Sequence, residues 1–336
     1  MKAGDAKQPH LLEKMIFRIE DKRNFEDLTF QVFNFQFENN PVYAEYCQLL
    51  EKNPGNINSL SDIPFLPVEF FKSHIVTTFS ESYEKLFLSS GTTNMERSKH
   101  YVKKMALYKK SFLDTFIQFY GEPSNYCLLA LLPGYYENEN SSLIFMVREL
   151  IDKSNHPESG FYLNDMENIF QKMMELDKKG QPIILFGVSF ALIDMAERYS
   201  YSFNHLIVIE TGGMKGRRKE ITREELHSKL KKSFGLPNIH SEYGMAELLS
   251  QAYSKGEGKF YTPPWVKILI REYYDPFSVG KINKSGGINI IDLANLYSCS
   301  FIETKDIGRK NEDGSVEVLG RFDSSEIRGC NLMVLE

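Results

Sequence analysis

Leu86-Phe-Leu-Ser-Ser-Gly-Thr-Thr93 sets an apolar, strand-like run directly against a glycine and four hydroxyl residues. Gly91 would let backbone N–H groups close on an anion, while Ser89, Ser90, Thr92 and Thr93 add hydroxyl donors, as a phosphate nest requires. No Gly-Lys-Ser/Thr follows, so this is not a Walker loop, and an ordinary turn uses the same residue types. Three further segments follow in order. Thr211-Gly-Gly-Met-Lys215 places the pair Gly212 and Gly213 behind an apolar run. Ser241-Glu-Tyr-Gly-Met-Ala-Glu247 gathers a ring, a glycine and a carboxylate within one turn, and Thr304-Lys-Asp306 precedes Gly320-Arg-Phe-Asp323. A tyrosine offers a flat apolar face, a glutamate a hard oxygen ligand for magnesium, and an aspartate an acceptor for two ribose hydroxyls. A core tyrosine, a surface glutamate and a capping aspartate are the alternative readings.

Residues of this kind need elements to hold them. Compact apolar runs at Tyr126–Leu132, Ile183–Phe186 and Leu206–Ile209, bounded by turn residues, read as buried parallel strands. Helical patterns separate or follow them at Ser142–Asp152, Asp165–Lys178, Phe190–Arg198 and Arg223–Phe234. Apolar spacing predicts two further amphipathic helices, through Phe25, Leu28, Val32 and Phe35, and through Met105, Leu107, Phe112, Phe116 and Phe119. The alternation predicts an α/β fold with a largely parallel sheet. From Trp265 onward the pieces are short and β-like, at Val266–Ile270, Gly287–Ile291, Ser300–Ile302 and Ser315–Leu319, predicting a small β-rich C-terminal subdomain. The expected division is a nucleotide- and acyl-binding core over 1–264, a closing subdomain over 265–320, and a tail over 321–336.

Composition narrows the function classes. With 42% hydrophobic and 25% charged residues the chain has the balance of a soluble globular protein. A net charge of -5 offers no long-range attraction for nucleic acid. The basic run Lys215-Gly-Arg-Arg-Lys219, followed by Glu220, reads as a solvated helix start. The cysteines at 47, 127, 299 and 330 form no metal-ligand set. The polar first ten residues lack a signal-peptide run, and the most apolar window, Pro182–Ala196, is short and contains Asp194. The expectation is a cytoplasmic protein with reduced thiols and no membrane span.

Taken together and in this order, the segments resemble the adenylate-forming superfamily, which carries an SSGTTG-like phosphate loop, a glycine pair beside the adenine, a YGMTE-like segment and a TGD…GRxD ending. The closer resemblance, over nearly the whole chain, is to the LuxE acyl-protein synthetases. It is carried by Leu66-Pro-Val-Glu-Phe-Phe-Lys72, Ser89-Ser-Gly-Thr-Thr93 with Ser98-Lys-His-Tyr101, Asn140-Ser-Ser-Leu143, His240-Ser-Glu-Tyr-Gly-Met245 and Arg328-Gly-Cys-Asn-Leu332.

The resemblance implies ATP-dependent activation of a carboxylic acid, in the family pattern a fatty acid, as an acyl-adenylate with magnesium, followed by transfer to a thiol. By it, Ser89, Ser90, Gly91, Thr92 and Thr93 hold the phosphates. Gly212, Gly213, Tyr243, Gly244 and Met245 lie about the adenine, Glu247 binds magnesium, and Asp306 and Arg321 hold the ribose. His240 borders the substrate pocket, with positioning ranked above proton transfer for it and for His100. Cys330, between Gly329 and Asn331 and beside Arg328, matches the acyl-accepting cysteine; a partner protein or CoA is the other acceptor, and a small buried apolar residue is the bland reading. Phe186-Gly-Val-Ser-Phe190 suits an acyl pocket or a buried strand end.

Departures from the pattern are specific. Asn94 stands where a glycine is usual, and Met95-Glu-Arg-Ser-Lys99 replaces the Pro-Lys-Gly end, leaving Arg97 or Lys99 to supply the cation. Ala246 replaces a threonine whose hydroxyl meets the α-phosphate, a loss of roughly tenfold to hundredfold in rate at about 1.5–3 kcal/mol for a charge-assisted hydrogen bond. The chain stops shortly after Gly320-Arg321, where larger superfamily members continue into a lid domain, which favours the LuxE pattern over a complete CoA ligase. The competing readings are an aryl- or acyl-CoA ligase and a degenerate acyl- or nucleotide-binding protein without turnover.

Overall fold

The computed structural model describes residues 9–90, 96–133, 139–162, 165–212, 221–273, 275 and 277–322. Three helices come first, α1 (Pro9–Ile16), α2 (Lys22–Asn39) and α3 (Pro41–Leu49), then a short strand β1 (Leu66–Pro67) and a one-turn helix α4 (Phe70–Ser73). A hairpin follows, β2 (Lys85–Leu88) and β3 (Lys99–Val102). The alternating stretch is α5 (Met105–Tyr120), β4 (Cys127–Leu131), α6 (Ser142–Ser154), β5 (Gly160–Phe161), α7 (Met166–Lys178), β6 (Ile183–Val188), α8 (Ser189–Arg198), β7 (Leu206–Thr211), α9 (Arg223–Phe234) and β8 (His240–Tyr243). Six strands close the order: β9 (Ala252–Ser254), β10 (Lys259–Tyr261), β11 (Val266–Arg271), β12 (Ser285–Asp292), β13 (Phe301–Lys310) and β14 (Val316–Arg321).

Side-chain caps set many of these boundaries. Asp21 Oδ1 accepts from Asn24 N–H at 2.8 Å to start α2, and Ser141 and Asp165 do the same for α6 and α7. Helix α9 opens on a reciprocal Thr222/Glu225 capping box and ends at Gly235, whose φ of 66° suits glycine.

The chain forms two compact units. The first joins Met1–Phe70 and Val76–Thr78 to Pro264–Glu336. Its sheet is an antiparallel meander β11-β12-β13-β14, with β1 parallel to β13 through Leu66 and Ile302. The expected 1–264 core is therefore divided, because the N-terminal helices bond to the far end of the chain. Gln36 Nε2 donates to the Asn295 and Leu296 carbonyls at 3.1 and 2.9 Å, Gln36 Oε1 accepts from Ser300 N–H, and Asn40 Nδ2 reaches the Ser298 carbonyl. Tyr43 stacks on Phe301 and donates its hydroxyl to the Pro64 carbonyl at 2.7 Å. A polar side chain holding three backbone groups in a buried site forgoes water without losing hydrogen bonds, so this junction is as specific as it is apolar.

The second unit, Phe71–Ile75 with Phe79–Pro263, carries the alternating stretch. Strands β5, β4, β6, β7 and β8 run parallel in that order, and β9 and β10 extend the sheet antiparallel. Every residue of β4 and β6 is buried, as expected where helices cover both faces of a parallel sheet. The hairpin β2–β3 is a separate two-stranded ribbon. Strands β6 and β7 run two residues past the apolar runs read from sequence, to Gly187-Val188 and Glu210-Thr211. The β7 extension brings the polar side chains of Glu210 and Thr211 to the carboxyl end of that strand, where open α/β sheets bind ligands.

Cys47, Cys127 and Cys299 are buried free thiols, and burial pushes Cys127 up to about 11. Among the described residues no helix is long and apolar enough to cross a membrane, and no group of three metal-ligating side chains occurs. Cys330 and the basic run 215–219 lie outside the described residues.

Candidate functional site

The hairpin pins the mouth of the hydroxyl-rich loop. Leu88 pairs with Lys99 and Phe87 with His100. Beyond them Ser89 N–H donates to the Ser98 carbonyl at 3.1 Å, and Ser98 N–H returns to Ser89 Oγ at 2.9 Å. Leu88 N–H reaches the Asn140 carbonyl at 2.9 Å, so the Asn140-Ser-Ser-Leu143 motif braces the hairpin as well as capping α6. Ser90 and Lys99 are exposed at this mouth; Gly91, Thr92, Thr93 and Asn94 lie outside the described residues.

His100 links the hairpin to the second motif. Its ring is buried, edge-on to Phe71, and its Nδ1 lies 2.8 Å from the Ala246 carbonyl. A carbonyl only accepts, so Nδ1 carries the proton and serves as a positioning donor. The backbone of Ala246 is thus fixed, although its side chain carries no hydroxyl.

Period-two alternation sends the residues of β7 and β8 to opposite faces. Ser241 and its register partner Glu210 face α9. Glu210 Oε1 lies 3.4 Å from Arg223 Nε and 3.6 Å from His227 Nε2, and Ser241 Oγ lies 3.4 Å from His227 Nε2. Burial pushes the Glu210 carboxyl up, but the His227 hydrogen bond and the Arg223 charge outweigh it and hold the group below its ordinary value. Ser189 Oγ lies 3.3 Å from Glu210 Oε2 and donates to the Gly212 carbonyl at 2.7 Å, fixing the turn after β7. Gly212 has φ of 68°, which its missing Cβ permits; Gly213 lies outside the described residues. Tyr243, half-buried, meets Phe260 edge-on at 5.9 Å, and the Arg223 guanidinium lies over Phe260 at 5.1 Å.

His240 and Glu242 occupy the other face. The His240 ring stacks on Tyr120 at 5.7 Å, with Nδ1 3.3 Å from the Tyr120 hydroxyl. Burial, aided by Lys255 and His227, pushes this imidazole down to about 4. It is neutral near pH 7 and a poor base. Glu242 Oε2 accepts from Thr211 Oγ1 at 2.5 Å; burial raises this carboxyl to about 7, with Glu210 adding and the Thr211 bond opposing. Gly244 leaves room for that carboxyl, since a Cβ there would come 2.6 Å from Glu242 Oε1. Met245 is half-buried and Glu247 buried at the following turn. Glu247 is the carboxylate that this turn offers, and a carboxylate oxygen is a ligand type that magnesium takes alongside phosphate oxygens and water.

In the first unit, Asp306 and Arg321 are register partners on β13 and β14, with Arg321 Nε 3.2 Å from Asp306 Oδ1. Asp306 N–H donates to Thr304 Oγ1 at 3.0 Å, and the buried Arg271 donates to the Thr304 carbonyl at 2.8 Å, so the pair sits on a braced strand.

Phe186 and Phe190 are buried, and a Cβ on Gly187 would come 2.4 Å from Leu192, so this stretch fills the core where β6 meets α8. The sequence alone gives no individual role to Glu210, Arg223 or His227, and names Ser189, Thr211 and Glu242 only as members of longer segments. The one local signal was a charged residue continuing an apolar strand, Glu210 after Leu206–Ile209.

Comparison with solved structures identifies the architecture. ATP-bound MatB from Rhodopseudomonas palustris aligns with a TM-score of 0.55 at 16% identity, covering 70% of this chain and 47% of its own. A 2-hydroxyisobutyryl-CoA ligase in complex with 2-HIB-AMP and CoA aligns at 0.64 and 11% identity, covering 91% and 70%. At such identities the likeness is one of fold, and this chain spans about half the length of MatB. No curated protein matches by sequence. Residues 17–336 match the acyl-protein synthetase family LuxE, and the chain belongs to that family.

Proposed function

We propose that this protein activates a carboxylic acid with ATP and passes the acyl group to a thiol. The observation that carries the reading is the His100 bond to the Ala246 carbonyl, which joins the hydroxyl-rich hairpin to the Tyr243–Glu247 segment within one unit of a LuxE-family chain.

In the first step a substrate carboxylate oxygen attacks the α-phosphorus. A new P–O bond forms, the bond to the bridging oxygen breaks, and pyrophosphate leaves with that electron pair. There is little covalent work for side chains to do, so catalysis is positioning and charge stabilisation. Ser89 and Ser90, continuing into Gly91, Thr92 and Thr93, would donate to the phosphates, and Lys99 supplies the cation from the first position of β3. Tyr243 offers its face to adenine beside Gly212, Gly213, Gly244 and Met245. Asp306, held by Arg321, accepts the ribose hydroxyls. Magnesium, when bound through Glu247, neutralises phosphate charge. His240 lines the acid side as a neutral, stacked wall.

In the second step a thiolate attacks the acyl carbonyl; a C–S bond forms, the C–O bond to phosphate breaks, and AMP leaves. Cys330 is the acceptor we favour, with a partner protein or CoA as the later recipient. A fatty acid as substrate and a cytoplasmic setting complete the reading.

The test is carboxylate-dependent ATP/pyrophosphate exchange over short, long and aromatic acids, with Asp306→Ala as control. Exchange lost in the control supports adenylation; bound ATP without exchange for any acid favours a degenerate binding protein. ATP-dependent labelling by radiolabelled acid should vanish in Cys330→Ser with exchange intact, and undiminished labelling would remove Cys330. Robust CoA thioester formation by the chain alone would favour an acyl-CoA ligase.

A further inference from the structure

Three buried side-chain polar atoms lack a hydrogen-bond partner among the described residues, and two of them, Tyr253 Oη and Gln251 Oε1, belong to residues two apart on and just before β9. Tyr253 is fully buried on β9 and pairs in register with Glu242 on β8, which puts both side chains on the same face of the sheet. The Tyr253 ring meets Tyr120 edge-on at 5.3 Å, and Tyr120 in turn stacks on His240. Gln251 lies just before β9, with its Cγ 3.4 Å from the Cβ position of Gly244, the same position that crowds Glu242 Oε1. The neighbouring hydroxyls are all committed: Tyr120 faces His240, Tyr108 donates to the Ser142 carbonyl, and Thr211 donates to Glu242.

Folded proteins seldom leave a buried hydroxyl unpaired, because it forgoes water and gains nothing. Here the unpaired donor stands cross-strand from a carboxyl with one oxygen outside the Thr211 bond, at the carboxyl ends of parallel strands β7 and β8. That is where this kind of sheet takes its ligand. A plain alkyl chain would leave Tyr253 without an acceptor and press methylenes against Glu242. A hydroxyl satisfies both, donating to the Glu242 carboxylate and accepting from Tyr253 Oη.

We infer that Glu242 and Tyr253, with Thr211 as support, form a polar subsite that selects carboxylic acids bearing a hydroxyl group on the chain. The inference rests on the adenylation reading and narrows its substrate class from fatty acids in general to hydroxylated ones.

The test compares hexanoate and dodecanoate with their 2-, 3- and terminal-hydroxy counterparts, in ATP/pyrophosphate exchange and by calorimetric binding to the full chain. At least one hydroxy acid should exceed its parent by roughly ten- to hundredfold in kcat/KM, the value of a hydrogen bond to a charged group. Tyr253→Phe and Glu242→Gln should each shrink that ratio by about tenfold. A purely structural role would lower both members of a pair together and leave the ratio unchanged. Ratios at or below unity for every pair, or an undiminished ratio in both variants, overturn the inference. If no acid supports exchange, adenylation fails but calorimetry still decides. Hydroxy-acid binding weakened by Tyr253→Phe sustains the subsite, and absence of hydroxy-acid binding overturns it.

Discussion

His240 and Glu242, two residues apart on one strand face, titrate abnormally in opposite senses over nearly the same pH range. Burial lowers His240 from 6.5 to about 4 and raises Glu242 from 4.5 to about 7. For His240 the unfolded chain binds the extra proton, so stability is present above its unfolded value and is lost as pH falls toward about 4. For Glu242 the folded chain binds the extra proton, so stability is present at low pH and is lost as pH rises through about 7. At about 1.4 kcal/mol per tenfold change in proton affinity, each effect reaches at most about 3 kcal/mol. Each contributes about 2 kcal/mol between roughly pH 5 and pH 7, less what solvent screens at Glu242, whose side chain is not fully enclosed. The two slopes nearly cancel in the native protein. Glu242→Gln should unmask the histidine: urea denaturation would show the variant gaining about 2 kcal/mol over wild type as pH rises from about 5 to about 7. His240→Asn should show the mirror image. Taking differences from wild type at each pH removes the other carboxylates. Parallel wild-type and variant curves would refute the burial argument, since both groups would then be titrating as in water.

Other perturbations read separate parts of the structure. His100→Ala leaves the Ala246 carbonyl without its donor and should cost about 1–3 kcal/mol in urea denaturation, with a raised KM for ATP as the functional mark of a displaced loop. Tyr43→Phe breaks the bond to the Pro64 carbonyl and should destabilise by about 1–3 kcal/mol, whereas Tyr253→Phe removes an unpaired hydroxyl and should leave the ligand-free protein as stable or more so. Arg271→Met strips donors from the Ile288 and Thr304 carbonyls and the partner from Glu303; a loss of about 3–5 kcal/mol is expected, and a loss below about 1 kcal/mol would show that those acceptors find other partners.

What the sequence disclosed depended on how local each cause was. Helix α9 was legible at both ends because its capping box, its apolar spacing and its terminal glycine lie within the helix and its immediate flanks. The runs that became β4, β6 and β7 were legible because covered parallel strands are apolar throughout, yet the last residues of β7 were not. Glu210 does not look like strand until Arg223 and His227 arrive from α9 to balance its charge. Strands β8 and β9 were missed as strands for a similar reason: short polar segments such as His240-Ser-Glu-Tyr243 read as motif before they read as sheet. The grouping of α2 with β13 depends on Gln36 and Asn40 meeting backbone groups at 295–300, a pairing with no local trace.

Glu210 and Glu242 show why naming residue types is not enough to assign chemistry. Each lies near the carboxyl end of a strand, Glu210 buried and Glu242 half-buried. They sit on neighbouring strands one register step apart, Glu210 opposite Ser241 and Thr211 opposite Glu242. That single step turns them to opposite faces. Glu210 meets a guanidinium and an imidazole and stays ionised, whereas burial, with the repulsion of Glu210 added, pushes Glu242 toward neutrality against the single Thr211 hydroxyl bond. The first is suited to holding a turn in place beside Gly212. The second, poised between donor and acceptor beside an unpaired tyrosine hydroxyl, is suited to a ligand that can serve as both.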